Sequence, residues 1–339
     1  MQNSSQINIK NIVFIIFLLV LLYLFVNSIE IIIMLFTTFV VVCAINPLID
    51  KMSTKMPRTL AAGIILLAGI SVFFIIIIPL LKTCIKEAVA FASTFSLSFD
   101  QLNNVLNFKI FNKTLSDFVT IDSIKEPLTT TVTGIFENTI TAGKSIAGFF
   151  ATLMAIAIMV FYYSCDVKRI NDKFIEFFPV EHKDTAKKIL NDIESRVGGY
   201  VVAQGLCMLF VGVIVAIGLI LAGHHHAILL GFITFVLDII PVVGPTIAGI
   251  LIVLSSLQSG VMAAVVALII IVVAQWAENQ FIRPILFGKF LNMHPLMIIV
   301  SLLLCAKFFG FWGIVLAPAI ASVICVVVDE LYLSRINKV

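Results

Sequence analysis

The sequence predicts an all-α polytopic membrane protein: about six full spans plus two re-entrant helical hairpins, about eight membrane segments in all. Three observations predict it. Hydrophobic residues make up 61% of the 339 and charged residues 12%, with a mean hydropathy of +1.15, far outside the range of soluble globular chains. Several apolar runs approach or exceed the ~20 residues a spanning helix needs. Lysine and arginine gather in short polar loops between those runs, and the positive-inside rule turns that bias into a topology.

Lys10 precedes the apolar run Ile12–Val26, which no small-residue cleavage site follows. A retained first span over about Ile9–Val26 is expected, rather than a signal peptide. A short turn leads to span two, Ile29–Ile45, and the loop Asn46–Arg58, with Lys51, Lys55 and Arg58, belongs in the cytoplasm. Span three is Thr59–Leu81. Residues 82–145 are the one long non-membrane stretch, expected outside the cytoplasm, with six lysines balanced by six acids. Phe91, Phe95, Phe99, Leu102 and Leu106 recur there at helical spacing, which predicts amphipathic helices. Span four, Ile146–Cys165, leads to cytoplasmic amphipathic helices over Asp166–Arg196, broken at Phe178-Pro179. Span five is Gly199–Ala222. The chain thus divides into N-terminal spans (1–81), an extracytoplasmic helical region (82–145), span four with cytoplasmic helices (146–198) and a transport core (199–339), both termini being cytoplasmic.

In the core, the apolar run Ala227–Leu257 is too long for one helix and is interrupted by Asp238, Pro241, Gly244 and Pro245. Its two halves, Ala227–Ile240 and Thr246–Leu257, reach only ~18–21 Å each, short of the ~30 Å hydrocarbon core. Span six, Val261–Ile282, ends at Arg283 and Lys289 and so in the cytoplasm. The segment before it must return to the side it came from, which makes it a hairpin entering from outside. Pro295–Leu331 repeats the pattern around the breaker Lys307–Gly313 and would enter from inside. Asp238-x-x-Pro241-x-x-Gly244 matches the spacing of Lys307-x-x-Gly310-x-x-Gly313. Span plus hairpin, twice and in opposite orientation, is the inverted repeat of many secondary transporters.

Irregular backbone and charge at membrane depth are tolerated only inside protein or around a cavity. Asp238 and Lys307 are therefore expected to approach one another at mid-membrane. Two readings stay open: a purely structural ion pair, or a site where Asp238 binds a proton, cation or polar substrate and Lys307 tunes it. Pro241, Gly244, Pro245, Gly310 and Gly313 would shape the tips. Gln204, Gln275, Glu278 and Asn279 are the other candidate binding residues, and Asp238, Glu278 and His294 the candidates for handling protons. His224-His-His226 reads as a titratable interfacial loop, because adjacent histidines diverge on a helix and no fourth ligand lies nearby. The six cysteines read as small buried hydrophobes, without metal or redox spacing. No metal and no other cofactor is expected. A formal charge of +3 is too small and scattered for nucleic acid.

The motifs resemble those of the autoinducer-2 exporter family of bacterial membrane proteins. The resemblance rests on Pro57-Arg58 before span three, and on Gly199-Tyr200 with Gln204 in span five. Asp238-x-x-Pro241-x-x-Gly244-Pro245, Glu278-Asn279 with Pro284 and Gly288, His294-Pro295-Leu296, and Gly310-x-x-Gly313 with Pro318 continue it. It implies a secondary transporter of the bacterial inner membrane, lacking ATP-binding motifs. Such a protein exports a small polar signalling molecule like autoinducer-2, or exchanges sodium or lithium for protons. It also implies a homo-oligomer, with a pentamer as the candidate. Lys307 departs from the apolar or small residue expected at its position, which argues against a neutral-substrate pocket carried over unchanged.

Two other classes compete with a transporter. An intramembrane enzyme is disfavoured because neither His-Glu-x-x-His nor a Gly-x-Gly-Asp pair is present. A channel or oligomeric scaffold would instead need a through-pore lined by polar rings.

Overall fold

The computed structural model describes residues 28–106, 109–110, 113–114, 143–240, 243–288 and 295–333. The expected first span, Pro241 and His294 lie outside them. Nine α-helices are described: α1 (Ile29–Ser53), α2 (Arg58–Leu106), α3 (Gly143–Glu176), α4 (Lys183–Leu221), α5 (Ala227–Leu237), α6 (Val243–Leu257), α7 (Val261–Ala277), α8 (Arg283–Phe287) and α9 (Pro295–Val328). A two-residue ladder pairs Lys109-Ile110 with Lys113-Thr114. Six helices are long and apolar enough to cross a membrane by length and composition. Five of them correspond to the expected spans two to six. The sixth, Leu296–Tyr332, is not one straight rod.

Glycine and proline decide how closely the helices approach. Pro47 sits inside α1 and has no N–H, so the carbonyl of Cys43, four residues back, loses its helical donor. Helix α4 packs onto that carbonyl through Gly198, where an added Cβ would stand 2.2 Å from the oxygen. Arg58 ties three helices: Nη1 reaches Asp50, Nη2 reaches Asn46, and Nε donates to the Ser164 carbonyl at 2.7 Å. The loop read from its charge as a polar connector is therefore a structural clamp.

Helix α2 runs 49 residues, about 74 Å at 1.5 Å per residue. It passes through the boundary expected at Leu81 without a break, although Pro79 lies inside it. Beyond the membrane-length part, the Glu87 carboxylate accepts the Leu229 N–H at 3.1 Å, satisfying one free donor of the first turn of α5.

Helices α5 and α6 form the first hairpin. Leu229 and Leu254 share one core cluster and Leu230 and Ile252 another, which sets the arms side by side. The hairpin is seated on α4 along a seam of small residues. A Cβ on Gly212 would meet Phe235 Cβ at 2.6 Å, and one on Gly231 would meet Ala216 Cβ at 2.5 Å, the close approach that small residues permit between membrane helices.

Helix α9 is the second hairpin. Gly310 breaks it with φ 59° and ψ −142°, a conformation reserved essentially for glycine. Met297 Sδ and Cys325 Sγ lie 3.9 Å apart although 28 residues separate them; in a straight helix the gap would be about 42 Å. The two arms are antiparallel. A Cβ on Gly313 would collide with the Cys305 carbonyl at 2.1 Å, so glycine is required on both sides of the turn.

Helix α4 lies between the hairpins. Its second half carries α5, and its first half packs on α1 and the returning arm of α9 in a cluster containing Val40, Val197 and Ala319. The Gly218 contact with Ile270 and the Tyr200 contact with Phe287 show that α7 and α8 run antiparallel to α4. Each of these long helices is followed by a helical hairpin, the geometric content of the expected repeat.

Candidate functional site

Asp238 ends helix α5 as its C-cap, with φ −64° and ψ −7°, and is fully buried. Two interactions hold the turn. Gln204 Nε2 donates to the Asp238 carbonyl at 2.8 Å, so the glutamine fixes the backbone and leaves the carboxylate free. Gly244 lies so close that a Cβ there would stand 1.8 Å from the Leu237 carbonyl.

The carboxylate faces the end of α7. There the helix widens into a π turn, Glu278–Ile282, and the Arg283 N–H bonds to the Glu278 carbonyl five residues back. In a regular α-helix five residues turn about 500° and would place these side chains far apart around the axis. The π turn brings them onto one side, a device common at functional sites. Arg283 Nη2 is 2.7 Å from Glu278 Oε1 and 3.7 Å from Asp238 Oδ1. Glu278 is fully buried, while a quarter of the Arg283 side chain is exposed. The guanidinium lies over Phe287, 5.8 Å from the ring centroid, and Phe287 in turn packs against buried Tyr200.

With both carboxylates ionised, the one guanidinium that reaches them among the described residues leaves one negative charge uncompensated. Among the described residues, neither Asp238 oxygen accepts a hydrogen bond, and neither do Gln204 Oε1 or the Glu278 oxygens in proper geometry; Arg283 Nε and Gln275 Nε2 donate none. Buried polar groups ordinarily find partners, so such a concentration makes this cluster the candidate functional site. On α4, Gln204 lies eight residues from charged Arg196 and seventeen from Leu221 at the far end, about 12 Å and 26 Å along the axis. A cleft of about 920 Å³ leads to the cluster between α6 and α7, with Pro245, Gln275, Asn279 and Arg283 in its wall; the rest of the lining is chiefly apolar.

Gln204, Asp238 and Glu278 thus come together, with Gly244 against the turn and Pro245, Gln275 and Asn279 along the adjoining cleft. Lys307, Gly310 and Gly313 do not join them. Lys307 is exposed, and Trp312, just past the second tip, lines a small cavity with Glu30 and Thr152. The expected tip-to-tip pair is replaced: the ionic partner of Asp238 is Arg283, because α7 and not α9 lies against the first tip. Sequence reading used Arg283 as a topological marker and as a neighbour of Glu278, and did not connect it to Asp238. The signal for its role was present, a cation five residues after Glu278 and directly before Pro284, but only a π turn makes that spacing a contact.

His224 and His226 face one another at the base of the first hairpin. His224 Nδ1 accepts the His226 N–H at 3.1 Å, and its Nε2 lies 3.4 Å from Ser255 Oγ. With Nδ1 accepting, the proton sits on Nε2 and points at the serine. Burial, and then the neighbouring histidines, push His224 down to about 4. Among the described residues no group of three His, Cys, Asp or Glu is arranged to hold a metal ion.

Fold and site together define a multi-pass helical membrane protein with an ionisable cluster buried at a hairpin tip. The family model described as AI-2E family transporter matches residues 12–333, and the chain belongs to that family. It is 26% identical over 294 residues to the candidate transport protein YueF of Bacillus subtilis, covering 82% of this chain and 78% of the relative. With YrrI of the same organism it shares 29% over 189 residues, covering 56% and 54%. It is 22% identical over 301 residues to a sodium-lithium/proton antiporter of Halobacillus andaensis, covering 81% and 82%.

Proposed function

We propose that the chain is a secondary transporter that exchanges a small monovalent cation for protons at the Asp238–Glu278–Arg283 cluster. The observation that carries this reading is the charge inventory: two fully buried carboxylates share one guanidinium. A buried uncompensated charge costs several kcal/mol. Either one proton or one monovalent cation neutralises it, and the two compete for the same place. Arg283 holds Glu278 at hydrogen-bonding distance and Asp238 at a longer one, so Asp238 is the carboxylate that changes partners. The relative named as a sodium-lithium/proton antiporter supports the same reading.

In the topology given by the basic loops, the site lies in the cytoplasmic half of the bacterial inner membrane, and both hairpins re-enter the bilayer. Alternating access would move the first hairpin along the glycine seam on α4. A second reading, export of a small polar solute such as autoinducer-2, is favoured by the cleft of about 920 Å³ beside the cluster, a size suited to an organic solute.

The test uses proteoliposomes holding an acid interior and a pH-sensitive dye. Adding sodium or lithium outside wild-type vesicles is expected to dissipate the gradient, and Asp238→Asn to abolish the response. Wild-type vesicles that ignore both cations yet move autoinducer-2 would transfer the assignment to the second reading. Full cation exchange by Asp238→Asn would sink the site.

A further inference from the structure

A second cavity, of about 670 Å³, lies at the first turns of α4, lined also by α1, the last turns of α3 and the end of α9. Its volume falls in the range of small-molecule sites. Its wall includes Phe36, Phe39, Phe174, Ile189 and Val323, and its polar members are few. At Tyr163 and Ile170 it adjoins a shallower groove whose lining contains Arg169 and Lys173, with Asp166 beside them.

Three features point to a ligand with an apolar tail and a negative head. First, α3 kinks at Asp166, where its apolar span gives way to the charged sequence Asp166-Val-Lys-Arg. The mouth therefore stands at the boundary between bilayer core and headgroups. Second, Arg169 and Lys173 are exposed and form no ion pair among the described residues, whereas nearby Lys188 and Arg196 are paired with Glu330 and Asp329. The acids of α9's end serve α4, and although Asp166, Asp172 and Glu176 share α3 with these cations, none of them forms an ion pair with Arg169 or Lys173 among the described residues. Third, the elbow between α3 and α4 exposes Phe177 and Val180 to 87% and 83%, with Lys173 before it and Lys183 after it in the chain. Such an apolar tip flanked by lysines is suited to the membrane interface.

We propose that this cavity is a binding site for one anionic membrane phospholipid, with an acyl chain inside it and the phosphate held by Arg169 and Lys173. Basic pockets between membrane helices at a bilayer face recognise such headgroups. The bound lipid would wedge α3, α4 and the returning arm of α9 together, below the hairpin that carries the ion site. The proposal stands independently of the transport reading.

The experiment uses the full chain in nanodiscs containing phosphatidylglycerol or phosphatidylcholine of identical acyl composition, each with a trace of the same lipid bearing a photoactivatable acyl chain. Cross-linking and peptide mapping are expected to place phosphatidylglycerol adducts on peptides holding Phe174, Ile189 or Val323, at least about fivefold above phosphatidylcholine. The double substitution Arg169→Gln and Lys173→Gln should erase that preference, and Ala186→Phe should block labelling. Because the wild-type map needs no variant, misfolding of either variant leaves the test intact. Equal labelling by the two lipids, or adducts no denser in the cavity than on the outer face of α7 around exposed Ile269 and Val273, would overturn the proposal. So would labelling that appears only once the chain is separated from a second copy, since that copy would then be the occupant.

Discussion

The two hairpins share a sequence spacing and differ in chemistry. In the first, Asp238-x-x-Pro241-x-x-Gly244 ends with a fully buried carboxylate beside Arg283 and Glu278. In the second, Lys307-x-x-Gly310-x-x-Gly313 carries an exposed cation and turns at a positive-φ glycine. The spacing encodes a way of reversing a helix. What the reversal presents is decided by its neighbour: the π turn after α7 in one case, the outer turns of α1 and α3 in the other. Equivalent backbone punctuation therefore does not imply equivalent sites.

Breaking the ionic partnership of the first tip should give the largest effect. Arg283→Gln leaves two buried carboxylates without their cation, and losses of about 3–5 kcal/mol follow when one member of a buried ionic group is removed. The melting temperature in detergent should fall sharply, and Asp238→Asn added to Arg283→Gln should recover part of the loss. Additive losses in the double variant would show that the two residues do not interact.

The glycine at each tip comes next. Gly244→Ala must displace the Leu237 carbonyl, a backbone atom no rotamer can move, for about 3 kcal/mol. Gly310→Ala meets nothing within 4 Å and carries only the backbone strain of positive φ, about 1–3 kcal/mol. The first should lose cation exchange along with stability; the second should lose stability alone. Equal transport defects in the two would make the hairpins functionally alike.

A smaller effect distinguishes the base of the first hairpin. His224 is held near 4 against about 6.5 in an unfolded chain, so between these values the folded protein binds fewer protons than the unfolded one. Stability should be flat above about pH 6.5 and decline as pH falls toward 4. In His224→Gln that part of the decline should vanish from melting curves recorded across the same range. The smallest effect belongs to the second tip: Lys307→Gln, at an exposed side chain, should change stability by less than about 0.5 kcal/mol and leave exchange intact. A transport loss there would restore the two-tip site.

Much of the fold could be read from the sequence because membrane helices obey one-dimensional rules. Run length separated α1 to α4 and α7 from the short arms α5 and α6, and breakers placed both reversals. Asp238, Gln204 and Glu278 stood out because polar side chains in apolar runs need a reason. Gly198, Gly212 and Gly231 gave weaker signals, since a close approach has meaning only once the opposing helix is known.

Span lengths, the two reversals and the presence of ionisable groups at depth followed from the sequence alone, because each depends on residues adjacent in the chain and on a solvent that hydrates no backbone. Partnership depended on the tertiary structure. Asp238 meets Arg283 rather than Lys307 because α4 holds the hairpins apart and a π turn rotates Arg283 toward the first tip. Charge attraction is indifferent to which cation satisfies it; helix packing fixes which one is within reach.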